Sequence, residues 1–109
     1  MAIDDITLRG TISLRGGIEH PHAARRLREH FGGLEWQDGG DGPAIELRED
    51  PALAEGAFAI TAAPDRVVIS GGPFSGVIYG AEELIARGPA DAVTVPRSGV
   101  ADEEQRFSQ

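Results

Sequence analysis

The chain has 109 residues, 18 acidic side chains against ten cationic ones, a formal net charge of −8, and neither cysteine nor lysine. That length holds one domain and is too short for a catalytic (β/α)8 barrel. The acidic balance argues against partners recognised by phosphate neutralisation, so neither nucleic acid nor an anionic membrane surface is expected.

Other broad classes fall to equally simple tests. Without cysteine there is no disulfide framework and no thiolate chemistry, and the compartment stays open. Met1 to Asp5 lacks the basic stretch and apolar run of a signal peptide, so none is expected. No apolar run reaches membrane-spanning length. Hydrophobic content of 40% and charged content of 26% suit a globular protein, and 15 glycines suggest tight turns between short elements.

Taken in order, Ile6 to Leu14 alternates apolar and polar residues and predicts a half-buried strand with a bulge at Gly10. Gly16-Gly17 ends it. Pro21 suits the first turn of a helix, and Ala23, Ala24, Leu27 and Phe31 then share one face, with Arg25, Arg28 and Glu29 toward solvent. Gly32-Gly33 stops that helix. Leu34 to Gln37 reads as a short edge strand carrying Trp36, and Asp38 to Pro43 as a loop. Ile45 and Leu47 alternate with Glu46 and Arg48 in a further strand, and Asp50-Pro51 begins a turn under which Leu53 tucks.

Phe58 and Ile60 form the next alternation, Pro64-Asp65 is a turn signal, and Val67 and Ile69 resume the period, which predicts two antiparallel strands. Gly71-Gly72-Pro73 ends the second. A helix follows, with Phe74, Val77, Ile78, Ala81, Leu84 and Ile85 in one apolar arc and Ser75, Tyr79, Glu82, Glu83 and Ala86 opposite. Gly88-Pro89 is its stop signal. Gly76 and Gly80, one turn apart at the edge of the arc, each cost up to roughly 1 kcal/mol relative to alanine. Another backbone therefore approaches closely there, either this domain's own sheet or a neighbouring domain. Val93 and Val95 predict a last short strand, and residues 98–109 read as a flexible tail or a linker to a following domain. The domain proper is expected over residues 1–97.

Sites known by their motifs do not survive a residue check. A phosphate-binding loop needs Gly-Lys-Ser/Thr, and there is no lysine. Gly71 to Gly76 does not spell the dinucleotide fingerprint. Ser75 lacks the flanking glycines of a nucleophile elbow, having Pro73 and Val77 in their place. His20, His22 and His30 have no metal-type spacing and read as helix-end histidines. Asp38 and Asp41 with Glu49 mimic the ends of a calcium loop, but proline stands where its glycine belongs, so an ordinary turn is the better reading. Glu82 and Glu83 are neighbours pointing about 100° apart, unlike a carboxylate pair facing across a sugar. Trp36 and Tyr79 could stack on sugars, but a buried ring with a wet polar tip explains both more simply. No catalytic residue, cofactor or metal is expected.

The run Val67-x-Ile69-x-Gly71, then Gly76-Val77-Ile78-Tyr79-Gly80-Ala81 with Leu84-Ile85, resembles the small α/β domain preceding the catalytic barrel in β-N-acetylhexosaminidases and α-glucuronidases. The match runs from about Ile6 to Gly88. The resemblance implies a non-catalytic accessory domain that packs against a barrel of the same polypeptide, with carbohydrate reached only through the parent enzyme. Gly76, Tyr79 and Gly80 are then the candidate interdomain contact. The alternative is a free-standing protein- or carbohydrate-binding module, including a homodimer. The expected fold is α+β: a two-layer sandwich of an antiparallel sheet with four or more strands, two helices on one face, in the order strand-helix-strand-strand-strand-helix.

Overall fold

A computed structural model describes residues 5–37, 42–87, 90–96 and 99–102. In chain order the elements are β1 (Asp5–Leu8), β2 (Thr11–Arg15), α1 (Pro21–His30), β3 (Glu35–Gln37), β4 (Ala44–Glu49), β5 (Phe58–Ala63), β6 (Arg66–Gly71), α2 (Gly76–Arg87), β7 (Val93–Pro96) and β8 (Val100–Asp102). Among the described residues, six strands form one sheet in the order β3-β2-β4-β6-β5-β8, and β1 pairs with β7 in a separate two-stranded ladder.

The α+β class and the two helices agree with the sequence reading, but the sheet is mixed where an antiparallel one was expected. Strands β3, β2, β4 and β6 run parallel to one another, while β5 is antiparallel to both β6 and β8. Apolar alternation reports which face of a strand is buried and is blind to its direction. Direction is set by the connections: α1 carries the chain back across the sheet between β2 and its neighbours, and such a crossover makes strands parallel. Only the short Pro64-Asp65 link forces the antiparallel hairpin β5–β6.

The strand read as continuous from Ile6 to Leu14 is broken. Gly10 takes φ 79° at the point where the chain changes sheets: β1 leaves with β7 and β2 enters the main sheet. Val100, read as part of a tail, pairs with Ile60 in β8.

Register aligns the buried residues into rows across the sheet. Leu14 lies beside Ile45 and Ile45 beside Val67; Leu47 lies beside Ile69 and Ile69 beside Ile60. All of these side chains are buried, on the one face that carries the helices. Helix α1 contributes Ala23, Ala24 and Leu27, and α2 contributes Val77, Ala81 and Leu84 to the same core. Strand β7 lies against α2 and β5, and Ile6, Leu8, Val93 and Val95 of the two-stranded ladder complete that core. The opposite face carries Glu46, Arg48 and Arg66, with Glu46 between the two arginines at 3.3 Å and 3.6 Å.

Candidate functional site

Helix α2 sits on the sheet through its glycines. A Cβ built at Gly80 would lie 2.5 Å from Ile69 Cγ2, and one at Gly76 would lie 2.5 Å from the Ala57 carbonyl oxygen and 2.8 Å from Gly71 C. Of the two neighbours open in the sequence, the domain's own sheet occupies both positions. Tyr79, the third member of that trio, is 53% exposed and lies over Gly56, whose added Cβ would meet its ring at 3.5 Å. Phe58, Tyr79, Glu82 and Glu83 line a shallow depression of about 220 Å³ beside it.

The two neighbouring glutamates of α2 are each held in a surface pair. Arg26 donates from Nε to Glu82 at 2.7 Å and from a terminal nitrogen at 3.1 Å, clamping α1 to α2. This hydrogen bonding holds the Glu82 carboxyl below its ordinary range against a smaller opposing effect of burial, and the charges of His22 and His30 act in the same direction as Arg26. The same bond pushes Arg26 up. Glu83 accepts instead from Arg87 at 2.9 Å, one turn along the helix. The two carboxylates are thus engaged by different arginines, although both border the shallow depression beside Tyr79. His30 packs edge-on against Phe31 at 4.7 Å. His20 stands at the start of α1 with no side-chain cap. Among the described residues no group of three or more His, Asp or Glu is placed to hold a metal.

Trp36 packs against the core from β3 and donates its ring N–H to the Phe31 carbonyl at 3.2 Å, so its polar tip is bonded within the protein. Residues 38–41 of the calcium-like loop lie outside the described residues, and Glu49 ends β4 on an exposed position.

One feature escaped the sequence. Phe74 was expected in the apolar arc of the second helix, but α2 begins two residues later, and Phe74 is 82% exposed with φ 70°. Ile18, in the loop after β2, is 93% exposed. The signals were modest: Gly72-Pro73 immediately before Phe74, and an isoleucine after Gly16-Gly17 that fits no periodicity. Topology places both at one edge of the sheet. Strands β2, β4 and β6 are parallel, so their carboxyl ends share one edge, where both helices begin. Strand β2 stands two inter-strand spacings from β6, roughly 10 Å. Strand β8 runs toward the same edge, since Asp102 pairs with Phe58 and Phe58 with Gly71 at the end of β6.

No protein-family model matches this chain, and no curated protein sequence does. Solved structures do. The GH20 β-N-acetylhexosaminidase of Streptomyces coelicolor A3(2) superposes with a TM-score of 0.64 at 13% identity, over 93% of this chain and 24% of that one. The GH20 exo-β-N-acetylglucosaminidase of Vibrio harveyi gives 0.61 at 15%, over 94% and 17%. A GH138 enzyme targeting pectin rhamnogalacturonan II gives 0.58 at 20%, over 79% and 12%. At these identities the likeness is one of fold. The chain spans between 12% and 24% of the length of these three glycoside hydrolases.

Proposed function

We propose that this chain is a non-catalytic accessory domain of a carbohydrate-active enzyme, a glycoside hydrolase such as a β-N-acetylhexosaminidase or an α-glucuronidase, packing against a catalytic barrel of the same polypeptide. One observation carries the reading: the fold recurs over nearly all of this chain, yet fills a minor share of each hydrolase it matches. The side chains agree with a supporting role. Glu82 and Glu83 are each engaged by an arginine, and the glycines of α2 serve internal packing. Substrate is met by the barrel and not by this domain.

The intact mass of the protein in its native source is the test. A mass well above 11.5 kDa, accompanied by glycosidase activity that the 109-residue chain lacks, supports the accessory role. A native mass near 11.5 kDa refutes it and favours the free-standing binding module. Strands β3 and β8, which end the six-stranded sheet, would then offer unpaired backbone to a partner or a second copy.

A further inference from the structure

We draw no further inference here: the strongest candidate, the shallow depression of about 220 Å³ beside α2 lined by Phe58, Tyr79, Glu82 and Glu83, has both carboxylates already engaged by Arg26 and Arg87, and nothing in the structure shows what covers it.

Discussion

The close approach of α2 to the sheet gives the sharpest stability prediction. Replacing Gly80 by alanine adds a methyl roughly 1 Å inside van der Waals contact with Ile69 Cγ2 and in firm contact with Phe58 Cβ at 3.4 Å. Ile69 is fully buried on β6 and has no room to retreat. Overpacking of this kind costs about 1–3 kcal/mol, partly offset by about 1 kcal/mol of helix propensity gained over glycine. The net loss centres on about 1 kcal/mol, seen as a midpoint roughly 4–8 °C lower in thermal unfolding followed by far-ultraviolet circular dichroism. Gly76→Ala should be worse, at about 3 kcal/mol, because its methyl meets backbone atoms of Ala57 and Gly71 and the first helical residue gains little propensity. Gly32→Ala is the control, its nearest neighbour being the Glu29 carbonyl at 3.7 Å, and it should change little. If Gly80→Ala raised the midpoint, propensity alone would be at work. Helix α2 would then not rest on Ile69, and the glycines would be free to face a neighbouring domain.

Gly10→Ala and Gly16→Ala separate backbone strain from steric overlap. Both positions have φ near 80°, but Gly10 is open whereas Gly16 faces the Leu47 carbonyl oxygen. The first should lose about 1 kcal/mol in urea titration and the second clearly more; equal losses would refute the placement of Gly16 on β4. Glu82, held below its ordinary range by Arg26, stabilises the fold fully above the unfolded carboxyl value of about 4.3 and loses that contribution as pH falls through the lower folded value. The stability gap between wild type and Glu82→Gln should therefore be small, as for surface pairs generally, present at neutral pH and gone in acid. A gap that widens on acidification would contradict the pairing. Trp36→Phe removes the donor to the Phe31 carbonyl and should cost about 1 kcal/mol while leaving sugar titrations flat. A change in sugar binding would restore a stacking role to Trp36.

Much of the architecture was written in local periodicity. The helices at Pro21–His30 and Gly76–Arg87 and the hairpin Phe58–Gly71 follow from spacing, turn residues and stop signals, each of which acts within a few residues. What could not be read was long-range. Parallel pairing of β2 with β4 joins Ser13 to Ala44 and Arg15 to Glu46, and no feature of either segment names the other. Gly10 looked like a bulge because a bulge and a change of sheet demand the same positive φ. Phe74 was misplaced for a related reason. At about 100° per residue it falls inside the apolar arc of α2, and periodicity does not reveal that the helix begins only at Gly76. Glu82 and Arg26 lie 56 residues apart, so their pairing was equally invisible.

The exposure of Phe74 follows from the same packing that fixes the glycines. Helix α2 must begin at Gly76, because only a residue without a side chain can lie there against Ala57 and Gly71. That leaves residues 72–75 to turn the chain from the end of β6 into the helix, while the Gly72 N–H is held by the Ala57 carbonyl at 2.8 Å. The positive φ falls on residue 74. The turn explains the backbone but not the side chain, since asparagine or glycine would meet the same torsion without the roughly 1–2 kcal/mol that an ordinary L-residue carries there. A phenylalanine 82% exposed gains almost nothing from burial within this domain to offset that strain.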